Sequence, residues 1–591
     1  MANNKRYLIT TADERTWKFD RPVIFLGEWC RIYNRRHIWQ NMDAIVAAPY
    51  GLGLAKKDAD HAEARVLEDK LFPAMCEALN QYHDVQHGER FWRIVLGHWL
   101  RRYVDVILNR VKTLEQCLQA HQVSGMTVFE NHNHALSPQD SYAAIWYFGD
   151  DRWNNILSMH IIQLLGAASF PIEVIPDDQA EGSRSSELPS NIPQTKKCLN
   201  WTYYQIRKLL LLMARHSDSI ITNTYLPRNY EVKLQIALGQ IPQAWVIPEL
   251  KLSARPDPWL RQNEALKIID KSGDKLYGIL SGMVFKILPV CYLEGLPELN
   301  DLIKEMSWPK EPKFIFTSNN FDTSEVFKMW SAMKVETGTK YIIGQHGNNY
   351  GTHRYMNPTI EEITADKFLT WGWTDCLPQH TPLFILKKAG GKTADYNPKG
   401  GLLLLEMHSS QRMALWDETC EFGEYFQAQK CFVNKLSNEP RNNLTIRFHP
   451  GYRCLKWYEE LRWQAFDINL RIDLSGVSIW KLIGQSRLVV YSYDSTGMLE
   501  TLSHNIPTIA FWQNGFDHLR ESAKPHYKVL VDAGILHLTA ESTALKVNEI
   551  WNNIGSWWNQ STVQDARRSF CDAYCKVSPK PICELKKSLV S

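Results

Sequence analysis

The sequence predicts an α/β protein with two Rossmann-like domains facing a central cleft, extra N-terminal-domain helices and a C-terminal helical tail. Three observations predict it. Short apolar runs alternate with stretches at helical spacing, the pattern of strand–helix–strand units with parallel sheets. The pattern runs in two blocks, separated by the turn-rich YNPKGG at 396–401. The composition, 44% hydrophobic and 22% charged, is that of a globular chain and excludes wholesale disorder.

The elements follow in order. Val23-Ile24-Phe25-Leu26-Gly27 is a β-type run ending in glycine and supplies the first strand. Residues 61–120 read mostly helical, with Phe91, Val95, Trp99, Val104 and Leu108 at helical spacing. The stretch 139–170 reads helical as well. Residues 176–197 are polar and rich in Ser and Pro, an exposed loop, and 200–215 return to helix. Strand-like runs come next at 220–222, 244–247, 313–317, 341–345 and 367–371. Beyond the break, runs at 402–407, 444–449, 488–493 and 508–512 alternate with helical segments. The predicted division is 1–395 and 396–540 as the two Rossmann-like domains, and 541–591 as C-terminal helices carrying Trp551, Trp557 and Trp558.

Charge and motifs narrow the function. The net charge of +3 gives no argument for a nucleic-acid partner. The polar N-terminus lacks a signal-peptide pattern, and no stretch reaches the length of a membrane span. A cytoplasmic location is therefore expected. The pairs Arg35-Arg36 and Arg101-Arg102 suit either peripheral contact with the inner face of a membrane or ordinary solvated faces. The 12 Cys residues hold no CxxC and read as buried thiols. Glu130, His132 and His134 lack convincing metal-ligand spacing, so no metal and no resident cofactor is expected. His83, Asp84 and His87 read as a solvated helix face. GxGxxG after the first strand, GxxxxGK[ST], GxSxG and HExxH are all missing, which argues against nicotinamide oxidoreductases, P-loop NTPases, α/β-hydrolases and zincins.

The candidate residues lie just after strands, where open α/β sheets carry their sites. In TIRFHPG, Arg447 and His449 are two apart and share a strand face, a guanidinium and an imidazole suited to a phosphate or carboxylate. A strand-end His bonded to a neighbouring carbonyl is the alternative. In YSYDSTGMLE, a strand runs into Ser495 and Thr496 and then a helix, whose free N–H groups and hydroxyls form an anion site. Glu500 lies one turn on, within reach of a ribose hydroxyl. The alternative is a plain cap by Asp494 or Ser495. GQHGNNYG places His346 between Gly344 and Gly347, exposed as an acid, base or anion donor, with Gln345 beside it. Glu361, Glu362 and Asp366 follow, and read as solvated helix charges or as a base. Glu28 after the first strand is a second candidate base, and Trp29 a ring to stack on a sugar. Ser318 and Asn319 line a further post-strand turn.

Together these segments resemble a family of bacterial transferases found with surface-carbohydrate biosynthesis. The stretches that carry the resemblance are YLITTADERTW (7–17), FLGEWC (25–30), DDRWNNILSMHII (150–162), FTSNNFDTSEVFKMW (316–330), GQHGNNYG (344–351), DKFLTWGW (366–373), RFHP (447–450) and VVYSYDSTGMLETLSHNIPTIAFW (489–512). Asn348 and Asn349 stand where other members carry further glycines. The resemblance implies a glycosyltransferase of the GT-B type that needs no metal, with 1–395 on the acceptor side and 396–540 on the nucleotide-donor side. The HP motif and the Ser/Thr turn are also similar to those of sialyltransferases, Kdo transferases and teichoic-acid glycerophosphotransferases, which use cytidine-activated donors. By that likeness Arg447 and His449 hold the donor phosphate, Ser495 and Thr496 add donors, and Glu500 holds the ribose or base. His346, or second Glu28, takes the acceptor proton. The implied partners are a nucleotide-activated sugar and a glycan or lipid-linked acceptor. A CDP-alcohol phosphotransferase, a sugar-nucleotide epimerase and a non-catalytic carbohydrate-binding scaffold remain alternatives on the same residues.

Overall fold

The computed structural model describes residues 5–131, 136–167, 169–177, 211, 213–268, 273–356, 358–391, 396–411 and 419–591. Among these residues the strands form three parallel sheets. The first holds β1 (Arg6–Ile9), β2 (Val23–Phe25), β3 (Ala44–Val46), β4 (Val123–Phe129) and β5 (Ile172–Ile175), in the order β3-β2-β1-β4-β5. The second holds β6 (Ile220–Ile221), β7 (Phe314–Thr317), β8 (Lys340–Gly344), β9 (Lys367–Thr370) and β10 (His380–Pro382), in the order β10-β9-β8-β7-β6. The third holds β11 (Gly401–Leu405), β12 (Leu444–Arg447), β13 (Arg471–Asp473), β14 (Ser486–Tyr491), β15 (Thr508–Phe511) and β16 (Leu536–His537), in the order β13-β12-β11-β14-β15-β16.

The α/β class with parallel sheets is as the sequence predicts. The first and third sheets have the doubly wound order, whose topological switch points lie between β1 and β4 and between β11 and β14. The second sheet instead runs in sequential order. Residues 1–395 thus carry two sheets, where the sequence pattern reads as one unit. The continuous run Leu402–Leu405 is buried throughout, as expected of a central strand covered on both faces. Among the described residues the run at 244–247 pairs with no strand. It is apolar because Trp245 packs against Trp308, at 6.1 Å between ring centroids.

The helical stretch 61–120 is two helices, Leu54–His83 and Glu89–Ala120. Asp84 breaks them apart in the left-handed region, its N–H bonded to the Asn80 carbonyl. The second helix leaves the first sheet and packs on helices Glu325–Glu336 and Ile360–Thr364 of the second. Gly97 permits the approach, because a Cβ there would lie 2.8 Å from Ile360 Cγ2. The C-terminal helices return to the second sheet. Leu585 and Leu589 of helix Pro581–Val590 are buried in the cluster containing Ile221, Phe316 and Ile342. Trp551, Trp557 and Trp558 are buried. No helix of the described residues is long and apolar enough to cross a membrane. His132, His134, most of the loop 176–197 and most of the helix at 200–215 lie outside the described residues.

Candidate functional site

The carboxyl ends of the second and third sheets meet. After β8, the Asn348 backbone N–H donates to Thr496 Oγ1 at 2.9 Å, and its side-chain amide donates to Asp494 Oδ1 at 2.6 Å. Asn349, at φ 78°, holds the turn in the left-handed conformation that Asn tolerates. The two Asn residues therefore serve this loop where glycines would otherwise be expected. The first sheet joins from the side, where Gln411, after β11, donates to the Glu28 carbonyl.

His346 sits at the centre of the loop after β8. Gln345 beneath it is buried, and its Oε1 accepts from the Trp371 N–H at 2.9 Å and from Trp373 Nε1 at 2.8 Å. This fixes the backbone that presents His346. The imidazole stacks with Tyr225 at 6.0 Å and lies 5.8 Å from the Phe321 ring. Tyr225 and Asn223, after β6, have φ of 61° and 48°. A bulky side chain rarely takes that conformation, and such strain clusters at functional sites. Lys387 Nζ lies 4.8 Å over the Tyr225 ring and 3.7 Å from Glu500 Oε1. Burial pushes the His346 imidazole down to about 4; Asp322 opposes this shift and Lys387 adds to it. The ring is neutral at neutral pH and free to accept a proton.

A polar chain runs behind it. His346 Nδ1 is 3.1 Å from the Tyr350 hydroxyl, which donates to Glu361 Oε1. Glu361 Oε2 is 3.6 Å from His98 Nε2, and His98 Nδ1 is 3.9 Å from Asp322 Oδ1. Asp322 receives both Arg102 Nη groups, at 2.6 and 2.7 Å. Burial pushes the Glu361 carboxyl up to about 7 against the Tyr350 hydrogen bond, and pushes His98 down to about 3. Burial also opposes ionisation of Asp322, but Arg102 outweighs it and holds the carboxyl low. Glu361 and Glu362 are buried, which corrects their reading as solvated helix charges. Glu362 instead closes a capping box with Thr359.

In the third sheet, Ser495 is the N-cap of helix Thr496–Ser503, and its Oγ accepts from the Gly497 N–H at 2.9 Å. Asp494 is not the cap. Its carboxylate takes Asn348, the Tyr527 hydroxyl at 2.9 Å and His518 Nε2 at 3.2 Å. Arg447 is buried and bonded to Asp473, its register partner on β13. His449, beyond the strand end, is exposed. Its Nδ1 accepts from the Gly451 N–H at 3.1 Å, and its ring lies 4.6 Å from that of His408.

The structure thus brings His346, Gly347, Thr496 and Glu500 into one neighbourhood, with a Cβ on Gly347 coming within 3.5 Å of Thr496 Oγ1. Glu28 sits on the first-sheet side, paired with Arg31. Trp29 is buried at 3% exposure and donates to the Thr10 carbonyl at 2.9 Å, so it is a core ring and not a sugar platform. Ser318 is buried and donates to the Thr224 carbonyl at 3.1 Å, while Asn319 is half-buried. Arg101 and Arg102 turn inward to Glu68 and Asp322, so neither offers a free surface charge. His83 bonds the Tyr292 carbonyl at 3.1 Å and His87 pairs with Glu336, so neither is simply solvated. Among the described residues no group of three or more His, Cys, Asp or Glu is placed to hold a metal.

Sequence reasoning misses Tyr225, Lys387, Tyr350, His98, Asp322 and His408. The post-strand rule applied after β6 reaches Tyr225. No local signal marks His98, which lies in the long helix Glu89–Ala120.

Among solved structures, the chain aligns with a protein provisionally assigned as a UDP-N-acetylglucosamine 2-epimerase from Listeria monocytogenes. The identity is 13%, the TM-score 0.32, and the match covers 62% of this chain and 100% of that one. It also aligns with the spinosyn rhamnosyltransferase SpnG, solved with spinosyn aglycone, at 13% identity and TM-score 0.30, over 64% of this chain and 100% of that one. No curated protein matches. The model of the LIC12162 family transferase matches residues 6–589. The chain belongs to this family of transferases.

Proposed function

We propose that this transferase is a GT-B-type glycosyltransferase, moving a sugar from a nucleotide-activated donor, in the first instance a CMP-sugar, to a surface-polysaccharide or lipid-linked glycan acceptor. It acts in the cytoplasm, with peripheral membrane contact where the acceptor is lipid-linked. The observation that carries the reading is the meeting of the His346 loop with the start of helix Thr496–Ser503. A neutral imidazole and the hydroxyl-bearing start of that helix, capped by Ser495, there face one another from two sheets.

The acceptor oxygen bonds the anomeric carbon as the bond from that carbon to the donor phosphate breaks, its electron pair leaving on the phosphate. The Ser495 and Thr496 hydroxyls and the positive end of the helix dipole meet that charge, with His449 at the strand end; the Gly497 N–H is already taken by Ser495 Oγ. Arg447 acts from behind, since Asp473 already holds it. Glu500 takes the ribose, and Lys387 beside it adds positive charge. His346 receives the acceptor proton, with Glu28 as the second candidate. Charge stabilisation in this scheme is assigned to protein donors, without a metal.

Thermal unfolding with CMP, CDP, UDP, GDP and ADP tests the reading. A ligand that binds only the folded state raises the melting temperature by mass action, by about 2.7 kcal/mol of stability at a hundredfold excess over Kd. A selective rise with CMP or CDP is expected. A selective rise with UDP or GDP keeps glycosyl transfer and removes the cytidine donor. No rise with any nucleotide overturns the reading.

A further inference from the structure

Reading His346 as the base leaves open which nitrogen accepts the proton. The Tyr350 hydroxyl has one hydrogen and two polar neighbours, Glu361 Oε1 and His346 Nδ1. A carboxylate is the stronger acceptor, so the phenol hydrogen goes to Glu361. The phenol oxygen then turns a lone pair to His346. That contact, 3.1 Å long, is a hydrogen bond only if Nδ1 carries the hydrogen. Nε2 is left with its lone pair.

We propose that Tyr350 and Glu361 are positioning residues that hold His346 in the Nδ1–H form and aim Nε2 at the acceptor hydroxyl. Three separate parts of the chain build the device. The loop after β8 supplies His346 and Tyr350, helix Ile360–Thr364 supplies Glu361, and helix Glu89–Ala120 brings His98 within 3.6 Å of Glu361 Oε2. Asp322, gripped by Arg102, closes the far side. The Tyr225 and Phe321 rings flank the imidazole and restrict its rotation.

During transfer the acceptor proton moves to Nε2 while the Nδ1 proton stays in place. The imidazolium so formed lies one phenol away from the Glu361 carboxylate, which stabilises it. Neither Tyr350, at 3% exposure, nor Glu361, at 4%, is open to substrate, so both act through His346. The catalytic part of this inference rests on the glycosyltransferase reading. The tautomer does not.

The test is nitrogen NMR of full-length protein labelled at histidine, at about pH 8 so that Glu361 is ionised. The groups facing Glu361 are then Tyr350, Thr359, Glu362, His98, Tyr341 and the Arg102 guanidinium. The His346 signals are identified by their loss in His346→Gln. In the unmodified protein Nδ1 is expected protonated and Nε2 bare. Tyr350→Phe is expected to move the signal toward Nε2–H, and Glu361→Gln part of the way. In the transfer assay Tyr350→Phe lowers kcat by about tenfold or more with the donor KM within about twofold, because the loss falls on the proton-transfer step. An Nε2–H imidazole in the unmodified protein overturns the proposal even if no variant folds. A tautomer unmoved in Tyr350→Phe, or an unchanged kcat, does the same. Absence of transfer from every nucleotide donor faults the glycosyltransferase reading instead, and the tautomer still decides the hydrogen-bond assignment.

Discussion

Two histidines that look alike in the sequence, each just after a strand, sit in different surroundings. His346 is half-buried among rings, and burial pushes its imidazole down to about 4. His449 is exposed, its Nδ1 already accepting from Gly451 and its ring beside His408. The two are expected to fail in different ways. His346→Ala should retain nucleotide stabilisation and lose turnover by at least about tenfold, a general base being worth about 100- to 10,000-fold. His449→Ala should lose much of the nucleotide-induced rise in melting temperature. Loss of nucleotide stabilisation in His346→Ala, with none lost in His449→Ala, would reverse the roles. The position of each residue was legible, because loops after parallel strands are short and named by their strands. Their partners were not. Arg447 looks free in the sequence, and only the register of β12 with β13 shows that Asp473 holds it.

Elements show the same division. The long apolar runs of the third sheet announce themselves, and Ser495 was already a candidate cap for the helix that follows. The first sheet was nearly invisible: β1 has four residues and β3 has three. So few residues carry too few alternations to set against a helix pattern. Contact between distant elements leaves still less trace, as Gly97 illustrates. In the sequence it is a defect in a helix, and in the fold it is what lets helix Glu89–Ala120 bring His98 to Glu361. Gly97→Ala gains about 1 kcal/mol of helix propensity. It must also displace Ile360, an overpacking cost of roughly 1–3 kcal/mol. The melting temperature is expected to fall and turnover to drop with it. Gly278→Ala and Gly282→Ala are the controls. Both lie in helix Lys275–Ile287, where an added Cβ meets nothing within 4 Å, and both are expected to stabilise. A Gly97→Ala protein as stable as these controls would refute close packing at that crossing.

At the scale of the whole molecule, the seam between the second and third sheets is the part most exposed to pH. His353 lies on it: its backbone bridges Leu519, and its ring is 6.3 Å from that of His518. Burial pushes His353 down to about 4, with His518 adding to the shift and Asp494 opposing it. His346 stands at about 4 for the same reason, and His98 at about 3. In the unfolded chain each titrates near 6.5. A folded value below the unfolded one means stability that is present above pH 6.5 and lost as pH falls toward the folded value. The loss summed over three such groups is on the order of 5 kcal/mol or more, comparable to the whole stability of a domain. These three imidazoles therefore lower the melting temperature as pH falls from about 6.5 toward 4, while Glu361 and Glu459, which burial holds up at about 7, gain stability as they are protonated over the same range and offset part of the fall. Because one of the three sits on the seam, the fall should be accompanied by expansion in solution scattering. His353→Asn removes a titrating group from the seam without adding charge, and should blunt both effects. A His353→Asn protein whose melting temperature falls with pH as much as that of the unmodified protein would show that the His353 imidazole charges freely in the folded state and that the seam is not pH-sensitive through it.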